Sequence, residues 1–201
     1  MFSGIVQELG TIESIIDRGN IKTFCIKFNN STNCNIGDSV AINGTCLTVT
    51  EIDKQNLTAN FDAVPETLQR TNLNSLVENQ LVNTELAMRY GDHVGGHMVQ
   101  GHIDETGQII NITDASGAWL VEISASKELL KYLVTKGFVT IDGMSITVID
   151  TLEDSFTVTL IPHTIEVTIA KNYTKGSIVN LEADATGKYI YKYIQGFKEN
   201  V

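Results

Sequence analysis

Cys46 and Ser145 hold the same place in two similar stretches, Asn43-Gly-Thr-Cys-Leu-Thr-Val49 and Asp142-Gly-Met-Ser-Ile-Thr-Val148. A thiol and a hydroxyl at one repeated position suit two related but unlike sites, each offering a nucleophile or a polar contact. The plainer alternative is two small residues packing near a turn. Thr48 and Thr147 flank them in both stretches and either bond a ligand or support the strand. His102 follows Gly101 where, at the equivalent place 97 residues earlier, Ile5 follows Gly4. An imidazole in place of an aliphatic is hard to explain by packing alone, and its pKa class suits proton transfer near neutral pH. A surface histidine is the alternative. Asp184 replaces Ala87 and reads as an orienting group for a serine or histidine, or as a loop carboxylate. Asp62, Glu66 and Thr67 match Thr159, His163 and Thr164, hydroxyl-bonding groups beside a short turn that would suit a polyol tail. Lys136 is a lone lysine before Gly137, and solvent ordinarily claims such a residue.

Other chemistries lack their patterns. His93 and His97 are spaced as two ligands on a helix face, but Gly95 and Gly96 between them disfavour that helix. With no Cys-x-x-Cys or His-Glu-x-x-His, no metal site is expected. Neither a nucleotide-binding glycine loop nor a Gly-x-Ser-x-Gly elbow is present. A net charge of −10 argues against nucleic acid or an anionic membrane as partner. No apolar run approaches the length needed to span a bilayer, and Met1–Gln7 has no signal-peptide pattern. Cys25, Cys34 and Cys46 are odd in number, so reduced thiols in a cytoplasmic protein are expected.

The elements that must position these residues come in two copies. Met1, Gly4, Glu8, Gly10 and Ile12 recur 97 residues later as Met98, Gly101, Glu105, Gly107 and Ile109. Pro65, Thr67 and Thr71 recur as Pro162, Thr164 and Thr168, and Val82, Asn83 and Glu85 as Val179, Asn180 and Glu182. Between these blocks the offset is 99, pairing Gly44 with Gly143. The spacing predicts domains at 1–97 and 98–185, with functional differences where the copies disagree.

Strands are expected over Ile21–Phe28, Ser39–Asp53, Leu57–Ala63 and Leu81–Met88. The second copy offers Gly107–Ile112, Ala118–Ile123, Phe138–Ile149, Phe156–Ile161 and Ser177–Ala183. Asn43-Gly44 reads as a tight hairpin turn or a bulge. Short helical turns are expected at Pro65–Leu73, Ser126–Leu133 and Pro162–Ile169, and a linker at Tyr90–His97. Many short strands imply a small barrel or sandwich per copy. Residues 186–201 form an amphipathic helix without a counterpart, with Ile190, Ile194 and Phe197 on one face. It packs on its own domain or serves self-association.

Together these blocks resemble the riboflavin synthase alpha-chain family. Met1-Phe-Ser-Gly-Ile-Val6 is similar to that family's start, with Ser3 where threonine is usual. The Asn43 and Ile141 blocks, Pro65-Glu-Thr-Leu-Gln-Arg-Thr-Asn-Leu73, Gly95-Gly-His-Met-Val-Gln-Gly-His102, Lys136-Gly137 and Leu160-Ile-Pro-His-Thr-Ile165 match in order. The resemblance spans essentially the whole chain. It implies an all-β protein of two tandem six-stranded barrels, each binding one pterin-like molecule, and a C-terminal helix that helps assemble a homotrimer. It implies dismutation of two 6,7-dimethyl-8-ribityllumazine molecules to riboflavin and 5-amino-6-(D-ribitylamino)uracil, the last step of riboflavin biosynthesis, without metal or redox cofactor. Association with lumazine synthase is compatible with it. The working pair is expected between the N-terminal barrel of one subunit and the C-terminal barrel of a neighbour.

By that resemblance the first lobe would use Gly4, Ile5, Val6, Cys46, Leu47, Thr48, Asp62, Ala63, Val64, Pro65, Glu66 and Thr67. The second would use Gly101, His102, Ile103, Lys136, Ser145, Ile146, Thr147, Leu160, Ile161, Pro162, His163 and Thr164. Cys46, His102, Ser145, Thr147 and Asp184 are expected nearest the chemistry. The alternative is a non-catalytic, antenna-type lumazine or flavin carrier, which typically loses the Gly-His signature or the pairing of site residues. Here Cys46, His102, Lys136, Ser145 and Asp184 are all retained.

Overall fold

The computed structural model describes residues 1–198, with side chains to residue 196. Two closed antiparallel barrels of six strands account for most of it. The first comprises β1 (Glu8–Asp17), β2 (Lys22–Lys27), β3 (Ser39–Ile42), β4 (Thr45–Asp53), β5 (Thr58–Ala63) and β6 (Leu81–Leu86). The second comprises β7 (Glu105–Ala115), β8 (Ala118–Ser124), β9 (Phe138–Ile141), β10 (Met144–Thr151), β11 (Ser155–Leu160) and β12 (Ile178–Ala183). The strand order is β1-β2-β5-β4-β3-β6 in one and the same cyclic order in the other. Closure leaves no exposed sheet edge. It needs local bends, and both barrels place register shifts at equivalent points, Ile12/Ser14 and Val49/Glu51 in the first, Ile109/Asn111 and Val148/Asp150 in the second.

Alternation along each strand fills the barrels. Phe24, Ile26, Val49 and Phe61 are buried in one, and Val121, Ile123, Val148 and Phe156 in the other. Short helices α1 (Pro65–Arg70) and α3 (Pro162–Val167) each begin with proline in the first turn and lead into a 3-10 turn. The helix expected over Ser126–Leu133 is shorter. Ser126 caps α2 (Lys127–Leu130), accepting Leu129 N–H at 3.2 Å. Asn43-Gly44 is a hairpin turn, not a bulge. Both residues have positive φ (45° and 79°) and Ile42 pairs with Thr45 across it.

The barrels meet across that turn and its counterpart, Asp142-Gly143. A Cβ on Gly44 would stand 2.5 Å from Gly143 N, so the two turns abut backbone to backbone. The repeated Val-Asn-x-Glu then has a physical meaning. Val82 and Val179 enter the cores. Asn83 Nδ2 donates to Asp142 O and Asn180 Nδ2 to Asn43 O, each 2.8 Å and each across the interface. Phe2 and Val99, equivalent residues, exchange backbone hydrogen bonds (2.8 and 3.0 Å) beside it.

The last element, α4 (Ala185–Lys198), packs and protrudes at once. Tyr191 meets Tyr132 edge-on at 5.5 Å, while Tyr189, Ile190, Tyr193 and Ile194 are exposed. The Phe197 side chain and residues 199–201 lie outside the described part. No described helix is long and apolar enough to cross a membrane.

Candidate functional site

Strands β4 and β10 set the site by their alternation. Leu47 and Val49 point into the first core, and Ile146 and Val148 into the second. Cys46 and Thr48, Ser145 and Thr147 therefore stand on the outer faces of the barrels. The side chains of Leu47 and Ile146 are core, and only their backbones are available to a ligand outside. Ala63 and Leu160 are likewise buried (0% and 1% exposed).

The chain crosses over at this point. Cys46 N–H donates to Gly101 O at 2.9 Å, and Ser145 N–H to Gly4 O at 2.7 Å. Each copy's leading segment thus walls the site of the other copy. The resemblance places Gly4, Ile5 and Val6 with Cys46; in the structure they lie instead with Ser145, and Gly101, His102 and Ile103 lie with Cys46. Both glycines are required. A Cβ on Gly4 (φ +73°) would meet Ser145 Cβ at 2.6 Å, and one on Gly101 (φ +78°) would meet Cys46 Cβ at 2.6 Å.

In the first lobe, Cys46, Val64, Glu66, Thr67, Gly101, His102 and Ile103 line one cavity of about 250 Å³ with Thr45, Arg70 and Thr71. Glu66 and Arg70 pair at 3.1 Å and also border a second cavity of about 770 Å³. Asp62 is engaged by Thr23 Oγ1 at 2.6 Å.

In the second lobe, the Ser145 hydroxyl lies 2.7 Å from His97 Nδ1. His97 is no linker residue. It is 7% exposed, stacks on Phe138 at 5.0 Å and has Thr140 Oγ1 3.3 Å from Nε2. Burial pushes its pKa below the ordinary value, with the Asp184 charge opposing. A neutral imidazole can accept the Ser145 proton. Gly96 makes the approach possible, since a Cβ there would meet Ser145 Oγ at 2.6 Å. Asp184 caps α4, accepting Thr186 N–H at 2.8 Å. Lys136 is exposed on the turn before β9, in the left-handed region (φ 68°) where the first copy has Gly37. Ile161, Pro162 and His163 are exposed around the start of α3, with Thr164 half-buried.

Two buried carboxylates brace the crossing. Glu85 accepts Ser3 N–H, Ser3 Oγ and Gly4 N–H at 2.6, 2.8 and 3.1 Å. Glu182 accepts Gln100 and Gly101 N–H at 2.9 and 3.0 Å. Burial raises both pKa values, that of Glu182 to about 7. Among the described residues no cluster of His, Cys, Asp and Glu could hold a metal ion.

The arrangement is that of two unlike polar sites, a cavity at Cys46 and a hydrogen-bonded Ser145–His97 pair, each bordered by the leading segment of the other copy. The Lumazine binding domain model matches residues 3–87 and 100–184. The chain is 43% identical to the riboflavin synthase of Bacillus subtilis (strain 168) over 201 residues, covering 100% of this chain and 93% of that one. It is 44% identical to the riboflavin synthase of Actinobacillus pleuropneumoniae, covering 96% and 90%. Among solved structures, LumP complexed with 6,7-dimethyl-8-(1'-D-ribityl) lumazine superposes with a TM-score of 0.82 at 25% identity, covering 92% and 99%.

Proposed function

The chain belongs to the riboflavin synthase family of proteins with paired lumazine-binding domains, and from that premise we propose that it converts two molecules of 6,7-dimethyl-8-ribityllumazine to riboflavin and 5-amino-6-(D-ribitylamino)uracil. A four-carbon unit passes from donor to acceptor. The atoms balance between substrate and products without oxidant, reductant or added water, so residues that move protons and hold rings suffice. The observation that carries the reading is the pair of unlike polar sites in one duplicated frame, a cavity that Cys46 shares with His102 and a Ser145 hydroxyl bonded to His97.

In this reading each lobe holds one lumazine. His102 moves the proton of the acidic 7-methyl group. Ser145 or Cys46 activates a water that adds to the acceptor ring and is expelled again before product forms, or positions the acceptor. Glu66 and Thr67 on one side, His163 and Thr164 on the other, meet the ribityl hydroxyls. Asp184 holds the start of α4 and biases His97, and Thr147, Thr48 and Lys136 complete the pocket rims. Alignment of two stacked rings supplies much of the rate, an effect that reaches roughly 7–11 kcal/mol. The domains divide at 1–97, 98–185 and 186–201. The exposed Tyr189, Ile190, Tyr193 and Ile194 of α4 support assembly as a homotrimer, in which an N-terminal lobe of one cytoplasmic subunit faces a C-terminal lobe of the next; docking with lumazine synthase belongs to the same proposal.

The test is turnover with lumazine as sole substrate. Sustained riboflavin formation supports the synthase. Stoichiometric, unconverted, fluorescent lumazine would leave only the antenna-type carrier.

A further inference from the structure

Gln7 and Asp104 hold equivalent places in the two copies. Each accepts a backbone N–H from the strand beside it, Gln7 Oε1 from Leu86 at 3.1 Å and Asp104 Oδ2 from Ala183 at 2.9 Å. That bond does not need a carboxylate. What the second copy adds is α4. Lys188, in its first turn, reaches Asp104 Oδ2 at 2.6 Å, with the two side chains only 25% and 27% exposed. The carboxylate therefore stands where the copy continues into a helix carrying an ammonium, and a neutral amide where it does not.

This ion pair adjoins the first-lobe cavities, with Asp104 lining the larger one beside Glu66 and Arg70. Asp104 directly follows His102 and Ile103, which line that cavity with Cys46. Its carbonyl accepts Arg70 Nη1 at 3.4 Å from α1, the facing wall. Lys188 also faces Glu182, which holds Gln100 and Gly101 at the start of the same segment. Asp104 thus joins α1, β12 and α4 beside one pocket.

We propose that Lys188 is a positioning residue for the first-lobe pocket: from α4 it fixes Asp104, and through Asp104 the His102–Ile103 wall. The seating of the C-terminal helix is thereby felt in the lobe opposite the barrel that carries it. The inference rests on the proposed lumazine site in that lobe.

The test is a double-mutant cycle. Lys188→Met and Lys188→Arg are each combined with His102→Gln and with Ser145→Ala in the full chain. Lumazine binding, KM and kcat are measured, with helix content and assembly followed alongside. The expected result is that Lys188→Met weakens one of the lumazine sites about tenfold and raises KM more than it lowers kcat. Lys188→Arg restores both. The effect shrinks in the His102→Gln background and persists in the Ser145→Ala background. Asp104→Asn reproduces it with no substitution in α4. Unchanged affinity in a Lys188→Met protein of unchanged helix content and assembly overturns the proposal, and so does an equal loss in both backgrounds. A wild-type protein that binds no lumazine overturns the functional reading and the proposal with it; the two failures are therefore distinguishable.

Discussion

Ser145 Oγ lies 2.7 Å from His97 Nδ1, whereas Cys46, its counterpart, shares a cavity with His102. Each lobe has a histidine, but from different places in the repeat. His102 replaces Ile5, and His97 precedes the second copy altogether. Under the proposed function, unlike partners for a thiol and a hydroxyl would suit two identical substrates in unlike roles. His102→Gln and Ser145→Ala are each expected to lower kcat on lumazine by about a hundredfold, the scale of a lost proton-transfer group. Steady-state kinetics on correctly assembled protein checks this, and two fully active variants would contradict it.

The crossing of the leading segments gives a prediction that sequence order would reverse. Gly101→Ala is expected to abolish ligand binding in the first lobe, because its Cβ meets Cys46 and its φ is +78°. Gly4→Ala, in the first copy, is expected to abolish binding in the second lobe. Difference spectra of bound lumazine in each variant, with His102→Gln and Ser145→Ala marking the lobes, decide the assignment.

Phe2 is fully buried against Ala41 and Val99 where the two halves join. Phe2→Ala is expected to cost about 3–5 kcal/mol, the usual cost of truncating a core phenylalanine. Because Phe2 Cε2 would lie 3.0 Å from a Cβ on Gly101, binding in the first lobe should fall with it. Urea unfolding and ligand titration of one sample measure both.

Asp142 is fully buried and burial raises its pKa to about 7, against donation from Tyr173, Asn180 and Asn72. A carboxyl whose folded pKa exceeds its unfolded value stabilises the fold at low pH. That contribution is lost as pH rises from about 4 through 7, with a ceiling of roughly 4 kcal/mol. The first copy shows what replaces it. Asn43 Oδ1 accepts Asn83 N–H at 2.8 Å as Asp142 Oδ1 accepts Asn180 N–H at 2.8 Å. Asp142→Asn should therefore fold, and its Tm relative to wild type should climb between pH 5 and pH 8. A pH-independent difference would contradict this account.

The duplication, the barrel strands and the terminal helix are legible because period-two alternation and turn residues are local. β1 is absent from the expected strands although its counterpart β7, with the same register shift, is present there. The site was half legible. Cys46, Ser145 and His102 stand out as disagreements between copies. His97 has no counterpart to disagree with, and its two glycines read as linker; the signal lay in those same glycines, which admit a close neighbour. Gly4 lies with Ser145 and not with Cys46 because the leading segments exchange between the domains, a tertiary fact that no periodicity records. Leu47 and Ile146 enter the site by the resemblance, and alternation places their side chains in the cores.

The most direct measurement is product balance with 6,7-dimethyl-8-ribityllumazine as the only substrate. The account predicts riboflavin and 5-amino-6-(D-ribitylamino)uracil in equal amounts, one of each per two lumazines consumed, over many turnovers. Lumazine held in the pockets and recovered unchanged would contradict it.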